Sequence, residues 1–136
     1  MRAMLAPAPI SLPYPVYTVV AEKLHAITVL GMANTRLKDY VDLRLLLTQD
    51  LEPATLAQAI AQTFKRRSTE LPDALPMGLT GRIGDDDSRR ALWAAFLRKN
   101  ALPILPLADC VRDLRERLVP VLDDARTLLR KPDVTL

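Results

Sequence analysis

The sequence contains one cysteine, Cys110, and one histidine, His25, among its 136 residues. A single cysteine cannot form an internal disulfide, so nothing requires an oxidising compartment and we expect a cytoplasmic protein. One cysteine and one histidine also cannot form a zinc site of the usual ligand spacing. The sequence therefore excludes a disulfide-stabilised fold and a zinc module, and we predict no metal site within this chain.

Residues 3–21 contain no charged side chain, although the whole chain has nineteen basic and sixteen acidic residues. Four prolines, at positions 7, 9, 13 and 15, interrupt this stretch and oppose a membrane-spanning helix. Such proline spacing favours an extended, polyproline-like conformation. We therefore predict that residues 1–14 form an extended Pro-rich strap or linker and that the protein has no membrane segment.

A strand is indicated by apolar and polar residues that alternate with a period of two. The sequence shows this alternation only in the Pro-rich stretch, and weakly there. Apolar residues instead recur at intervals of three and four. The predicted fold class is all-α: a bundle of about five helices in one domain spanning 15–131, after the strap and before a tail at 132–136. The predicted helices lie at about 18–30, 34–49, 53–67, 88–99 and 108–131.

Single residues set the predicted ends and faces of these helices. Ser88 is predicted to cap the fourth helix, whose inner face would carry Leu92 and Phe96 with Trp93 on its flank. Pro120 is predicted to kink or divide the last helix, because proline removes a backbone donor and clashes with the preceding turn. Three glycines and two prolines between residues 68 and 87 predict a loop there, with one short turn near 79–83.

Lys23 breaks the pattern of the first helix. At about 100° per residue, Val20, Leu24 and Ile27 share one apolar arc, and Lys23 projects into the middle of that arc. One interpretation is that its stem packs against the edge of the core while the ammonium reaches water. The other is that an ammonium emerging at a fixed point from an apolar surface binds phosphate, with little competition from solvent. The sequence leaves both interpretations open.

The second helix repeats the anomaly, because Arg36 and Asp39 project within its apolar arc. Their spacing allows a local salt bridge, which on a helix surface contributes only about 0.2 to 0.5 kcal/mol. Asp42 borders Asp39, so a carboxylate pair or a lysine-to-aspartate bridge across the two helices would also fit. A contact between Lys23 and Asp39 would neutralise both charges.

Other polar residues carry weaker signals. The acidic run at 85–87 lacks the ligand spacing of a calcium loop and is predicted to cap a helix. Basic residues occur at 65–67, 89–90 and 98–99. Favourable interaction of these charges with helix ends explains most of them, which leaves nucleic-acid binding as a weaker hypothesis. His25 is predicted to be solvated, and Cys110, near a helix start, is a candidate for a lowered pKa without a catalytic partner.

Two segments together resemble a known family. The first reads Tyr14-Pro15, then Val19-Val20-Ala21-Glu22-Lys23-Leu24-x-Ala26. The second reads Leu30-Gly31-Met32-Ala33-Asn34-x-Arg36-x-Lys38-Asp39-x-x-Asp42-Leu43. In this order they resemble the AbiEii/AbiGii nucleotidyltransferase-like toxins of type IV toxin–antitoxin systems. Looser similarity at 59–67, 93–100 and 118–122 extends the resemblance from Pro13 to about Leu129.

The resemblance implies roles for particular residues. In that family the Lys-Leu-x-Ala helix supplies a lysine for nucleotide phosphates, which corresponds to Lys23, and the Lys-Asp-x-x-Asp-Leu helix supplies an active-site aspartate, which corresponds to Asp39. Arg36, Lys38 and Asp42 match the same motif and are implied as supporting or substrate-binding groups. The resemblance also implies a cognate antitoxin as partner and an RNA acceptor.

The family further requires an N-terminal sheet domain with a Gly-Ser or Gly-Gly loop and an Asp-x-Asp pair for magnesium, and no such segment precedes Lys23. We therefore expect the C-terminal helical portion of such a toxin, inactive alone. Magnesium and a nucleoside triphosphate would then enter only with a completing nucleotidyltransferase domain. The alternative is a non-catalytic helical module that self-associates as a homo-oligomer, or binds a toxin or antitoxin, through an apolar surface.

Overall fold

The computed structural model describes residues 14–31 and 37–130. Within these ranges the chain forms six α-helices and one 3-10 turn, and no strand. The elements, in chain order, are α1 (Tyr14–Leu30), α2 (Leu37–Leu46), α3 (Pro53–Arg66), the 3-10 turn (Met77–Leu79), α4 (Gly81–Asp85), α5 (Asp87–Lys99) and α6 (Leu107–Arg130). The predicted all-α class is confirmed. The predicted strap falls on residues 1–13, outside the described residues, and on Tyr14, which begins α1.

One apolar core joins the helices. α3 packs against both α1 and α6, and α2 also packs against α1 and α6. Each of these four helices presents residues three or four positions apart to the same interior, so burial of its apolar stripe drives the packing. The largest fully buried aliphatic and aromatic side chains of these helices are Leu24, Ile27, Tyr40, Leu43, Ile60, Phe64, Leu107, Leu114, Leu118 and Leu122.

The ends of the first two helices differ from the prediction. α1 begins at Tyr14 rather than at Thr18, with Pro15 in its first turn. Proline is tolerated there because the first backbone N–H groups of a helix have no intrahelical acceptor. α2 ends at Leu46, and the chain then turns through residues 47–49, which were predicted to be helical. Asn34, the predicted cap of this helix, lies outside the described residues.

The residues on the inner face of α5 differ from those predicted. Trp93 is buried and Leu92 is 49% exposed, while Phe96 is half-buried. The indole of Trp93 donates a 2.6 Å hydrogen bond to the Leu105 carbonyl, which satisfies its one polar atom inside the protein. Ser88 is not the cap either. Asp86 caps α5 by accepting a 2.9 Å hydrogen bond from the Arg89 backbone N–H, as the interpretation of the acidic run predicted.

The last helix, α6, contains Pro120 and remains one helix of 24 residues, so the proline does not divide it. Pro120 is exposed, and the neighbouring residues Leu118, Val121 and Leu122 are buried. Packing of this face against α3 holds the helix together across the missing backbone donor. Among the described residues, no helix has the length and apolar character needed to cross a membrane.

The 3-10 turn lies against α1 and fixes the position of α2. Gly78 approaches Ile27 so closely that a Cβ atom at position 78 would overlap the Ile27 side chain. The Gly78 carbonyl accepts a 2.7 Å hydrogen bond from the buried Tyr40 hydroxyl of α2. Only glycine permits this close approach. The turn therefore ties the two helices that carry the residues singled out by the sequence.

Candidate functional site

Lys23 lies where α1 meets α2. Its Nζ atom is 3.1 Å from Asp39 Oδ1 and 3.0 Å from Asp42 Oδ2, so one ammonium bridges two carboxylates of the next helix. The side chain of Lys23 is 22% exposed and that of Asp39 only 3%. The lysine-to-aspartate bridge considered from the sequence is therefore confirmed as a contact, and the ammonium is held at a defined point at the edge of the core.

Asp42 is shared between two lysines. Lys38 Nζ lies 2.7 Å from the Asp42 Oδ2 atom that also contacts Lys23. Burial tends to raise the pKa of Asp42, but hydrogen bonds from Lys38 and Lys23 lower the pKa by more. Burial likewise opposes the charged form of Lys23, and its hydrogen bonds to Asp42 and Asp39 raise its pKa overall. Within the cluster of Lys23, Lys38, Asp39 and Asp42, both shifts favour the charged forms, the ammonium of Lys23 and the carboxylate of Asp42.

The local sequence explains why these charges converge. In α1, Val20 and Leu24 are fully buried, one before and one after Lys23 in the chain. In α2, Tyr40 and Leu43 are buried, which orients the adjacent residue Asp39 toward the same interface. Apolar anchors on both helices thus position the cluster, in addition to its own ion pairs.

Two depressions open beside the cluster. The first, here called the α1 depression, has a volume of about 810 Å³ and is lined by Val19, Glu22, His25, Val29 and Arg67 together with Lys23 and Asp39. The second, here called the α2–α5 groove, has a volume of about 530 Å³ and is lined by Leu37, Lys38, Leu92, Ala95, Phe96 and Lys99, again with Lys23 and Asp39. Lys23 and Asp39 therefore border both openings, although Asp39 itself is nearly buried.

Of the five site residues predicted from the sequence, four lie within the described residues. Lys23, Lys38, Asp39 and Asp42 are brought together, and Arg36 lies outside the described residues. Two further residues, which the sequence did not assign to this site, also line the openings. Glu22 lines the α1 depression, and Lys99 lines the α2–α5 groove. No motif spacing connects Lys99 of α5 with Lys23 of α1, so only the packing of the helices reveals this neighbourhood.

Glu22, one residue before Lys23, ties α1 to the end of α3. Its carboxylate lies 2.6 Å from Arg67 Nε and 2.9 Å from Arg66 Nη2. The hydrogen bond from Arg67, more than any other interaction, lowers the pKa of Glu22. Arg89 and Arg90 are likewise paired, with Asp86 and Asp87. Much of the basic surface noted in the sequence is therefore already neutralised by neighbouring carboxylates, which weakens the hypothesis of nucleic-acid binding through these helix ends.

Two predictions about single residues were wrong. His25 is not simply solvated, because its Nε2 atom lies 2.9 Å from Thr69 Oγ1 and its ring makes an edge contact with Phe64. Burial, followed by the nearby Arg67 charge, lowers the pKa of His25. Cys110 is fully buried, and burial raises the pKa of its thiol to about 12 instead of lowering it. Neither residue can act as a charged nucleophile or acid at neutral pH.

Magnesium does not fit the carboxylates of this cluster. Asp42 is engaged by two ammonium groups, and Asp39 by one of them. Within residues 14–31 and 37–130, no group of three or more histidine, cysteine, aspartate or glutamate side chains is placed to hold a metal ion. A cationic neighbour at about 3 Å from each carboxylate disfavours a second cation there. The group of this cluster that borders both depressions with a partly exposed charge is the Lys23 ammonium.

The comparisons with known proteins give one match. No curated protein matches the chain, and no solved structure matches it. The sequence model of one family, the nucleotidyl transferase AbiEii toxins of type IV toxin–antitoxin systems, matches residues 6–125. This match covers nearly the whole chain and includes both helices of the cluster. The chain therefore belongs to the AbiEii family of nucleotidyl transferase toxins.

Proposed function

We propose that this chain supplies the helical half of a nucleotidyltransferase active site, with Lys23 binding nucleotide phosphate and Asp39 accepting a proton from the acceptor hydroxyl. The observation that carries the proposal is the contact of Lys23 Nζ with Asp39 at 3.1 Å, at a point that borders two depressions. A segment bearing the Gly-Ser and Asp-x-Asp motifs would have to complete the site. The acceptor is proposed to be RNA, and the partner that restrains the toxin a cognate antitoxin.

In the proposed step, the acceptor oxygen forms a bond to the α-phosphorus of the nucleotide. The bond from that phosphorus to the pyrophosphate oxygen breaks, and pyrophosphate leaves with the electron pair. The Asp39 carboxylate takes the proton released by the acceptor hydroxyl. Lys23 stabilises the negative charge that develops on the phosphate oxygens, which is the main way in which proteins promote phosphoryl and nucleotidyl transfer.

Asp42 and Lys38 would allow Lys23 to change partners. When Lys23 turns from the carboxylates to phosphate, Asp42 keeps the Lys38 ammonium at 2.7 Å and is not left as an uncompensated anion. Lys38 is 71% exposed, so it is free to follow Asp42 or to remain on the surface. In this proposal Lys38 and Asp42 position Lys23 and do not touch the reacting atoms.

A transfer assay tests the proposal. The chain is mixed with a family segment that carries the Gly-Ser and Asp-x-Asp motifs, and incorporation of each α-labelled nucleoside triphosphate into RNA is measured with magnesium present. We expect transfer that falls by about a hundredfold or more in Lys23→Ala, because one preorganised charge at the phosphate is lost. Arg98→Ala, an exposed residue of α5 that lines neither depression, is the control and should retain full transfer.

Two results would contradict the proposal. One is transfer by Lys23→Ala or Asp39→Asn at the rate of the unsubstituted chain, with helical content by circular dichroism unchanged. The other is absence of transfer from every combination of nucleotide and RNA, although the mixed segments form a complex.

One observation favours a second function, that of a non-catalytic interaction module. Val19 is 39% exposed and Val29 57% exposed on α1, and both line the α1 depression. Apolar groups exposed together in a depression gain free energy when a partner covers them. A second copy of the chain would be such a partner, without any chemistry at Lys23.

Sedimentation velocity at several protein concentrations tests this second function. Self-association through the α1 depression should increase with concentration and weaken in Val29→Lys, which places a charge in the apolar surface. The control is Leu45→Lys on α2, since Leu45 is 58% exposed but lines neither depression. A chain that sediments as a monomer at all concentrations argues against the module.

A further inference from the structure

The α2–α5 groove combines lysines with apolar residues. It is lined by Lys38 of α2 and Lys99 of α5, together with Leu92, Ala95 and Phe96 of α5. Leu92 is 49% exposed and Phe96 only half-buried, so apolar and aromatic surface faces the opening. A groove of about 530 Å³ lies within the range of about 300 to 1,000 Å³ that small-ligand sites occupy.

The charge of the groove differs from that of the α1 depression. Three lysines and one aspartate line the groove, whereas the α1 depression pairs Lys23 and Arg67 with Glu22 and Asp39. Lys38 is engaged by Asp42, but an exposed pair at this spacing contributes little and exchanges readily with another anion. Lys99 makes no ion pair with any other residue of the described ranges. The groove therefore attracts anions more strongly than the opening on the other side of Lys23.

Cations beside an exposed aromatic ring are the features with which proteins bind single-stranded nucleic acid. Lysines follow the phosphates, and bases stack on aromatic side chains without the need for a defined sequence. Here Phe96 supplies the ring, Leu92 extends the apolar surface, and Lys38 and Lys99 line the same groove. Duplex nucleic acid does not offer its base faces for such contact.

We propose that the α2–α5 groove binds the end of a single strand of nucleic acid, with a base against Phe96 and backbone phosphates at Lys99 and Lys38. This inference rests on the proposed function, because Lys23 and Asp39 also line the groove, and the terminal hydroxyl of such a strand would reach the proton acceptor there. The nucleotide would then occupy the α1 depression, on the other side of the Lys23–Asp39 pair.

Fluorescence anisotropy with labelled oligonucleotides tests the inference on the full chain. The probes are a short oligo(A) of RNA, the same oligomer as DNA, and a blunt duplex, each at several salt concentrations. We expect the single strands to bind better than the duplex. Lys99→Glu should weaken their binding by about tenfold and reduce the slope of log affinity against log salt. Phe96→Leu keeps the apolar volume and should weaken binding through loss of stacking.

Arg98→Glu is a matched control, because it changes the net charge equally on the adjacent residue of α5 and does not line the groove. It should weaken binding by less than about twofold. Equal losses in Lys99→Glu and Arg98→Glu would overturn the inference, since only the overall charge would then matter. Preference for the duplex, or absence of single-strand binding at low salt, would overturn it as well.

The failure of this inference is distinguishable from failure of the proposed function. The separate measurement is the binding of adenosine triphosphate, without an oligonucleotide, to the chain completed by the family segment. Comparison with Lys23→Ala shows whether this binding depends on Lys23. If that binding depends on Lys23 while Lys99→Glu leaves oligonucleotide binding intact, the nucleotide site stands and the groove is not the strand site. If the triphosphate alone displaces the oligonucleotide completely, the groove belongs to the nucleotide and the inference is wrong.

Discussion

The charged form of Lys23 is stabilised by two carboxylates on the neighbouring helix. Its ammonium donates to Asp39 and contacts Asp42, while its stem lies at the edge of the core. The stem is mostly buried, as the first interpretation expected, but the ammonium contacts two carboxylates. Binding of phosphate, the second interpretation, stays a prediction, and it would require Lys23 to leave these carboxylates.

At the residue scale, Asp42→Asn should lower the pKa of Lys23. Burial lowers this pKa, and hydrogen bonds to Asp42 and Asp39 more than offset that effect, so removal of one carboxylate charge shifts the balance toward the neutral amine. The measurement is an NMR titration of the lysine Cε and Nζ signals at alkaline pH. Asp113→Asn is the control, because Asp113 contacts Arg44 and Arg112 instead of Lys23. An unchanged Lys23 pKa in Asp42→Asn would contradict this reading of the cluster.

At the scale of elements, α1 is fixed along its length by contacts of different kinds. Glu22 joins it to the end of α3 through two arginines, Lys23 joins it to α2, and Ile27 receives the 3-10 turn. These contacts lie on two neighbouring turns of one helix and set its rotation as well as its position. The direction of Lys23 thus depends on the whole helix and on no single contact.

Glu22→Gln should make stability less dependent on pH in the acid range. The hydrogen bond from Arg67 holds the folded pKa of Glu22 below its ordinary value of 4.5, so the unfolded chain binds more protons near that pH and stability falls as the pH falls. Asp42, whose folded pKa lies below its ordinary value of 3.8, contributes in the same direction at lower pH. Urea unfolding between pH 7 and pH 3.5 measures the effect.

The expected result is a steep loss of stability below about pH 4.5 in the unsubstituted chain and a shallower loss in Glu22→Gln. Glu116→Gln, an exposed residue of α6 without an ion pair to any described residue, should give the same curve as the unsubstituted chain. Identical curves for all three proteins would show that Glu22 does not tie α1 to α3 in solution.

Two glycines near the 3-10 turn should respond differently to the same substitution. In Gly78→Ala the new Cβ would overlap Ile27 Cγ2 and lie 2.8 Å from the Ile27 carbonyl oxygen, so the backbone must shift at a cost of about 1 to 3 kcal/mol. In Gly81→Ala the nearest atom is Asp85 Oδ2 at 3.7 Å, an ordinary contact, and we expect a change within about 0.5 kcal/mol. Chemical denaturation of both variants measures the difference. Equal stabilities would mean that the turn does not lie against α1.

The helical elements themselves were largely predictable, because helix formation depends on residues close in sequence. The spacing of apolar residues located all five long helices, and Pro53 marked the start of α3. The inner face of α5 was not predictable in this way. Leu92, Trp93 and Phe96 are apolar residues within five positions of one helix, and the acceptor that selects Trp93 is the carbonyl of Leu105, outside the helix.

At the scale of the whole molecule, one connected core supports every long helix. Its buried residues run from Tyr17 in α1 to Ala125 in α6, and α3 and α6 pack along each other. A single core of this size predicts cooperative unfolding, in which the Lys23 cluster and α5 are lost together with the rest of the domain. The candidate site is therefore as stable as the fold that holds it.

Leu118→Ala tests this cooperativity. Leu118 is fully buried in α6, so its truncation leaves a cavity and should lower the free energy of unfolding by about 2 to 5 kcal/mol. Val119→Ala, at the next position and 37% exposed, should change it by less than about 1 kcal/mol. Circular dichroism reports on all helices, and the fluorescence of Trp93, the single tryptophan, reports on α5. Transitions that do not coincide would indicate separate folding units.

The sequence by itself determined the all-α class, the approximate helices and the three anomalous charges, Lys23, Arg36 and Asp39, because each of these is visible in the periodicity of one segment. Only the tertiary structure decided what those charges contact. It brought Lys23 to both Asp39 and Asp42, placed Lys99 beside the same cluster, and buried Cys110 beyond the reach of solvent. The physical reason is that periodicity fixes which residues share a face of a helix, whereas the neighbour of that face is chosen by the packing of segments far apart in sequence.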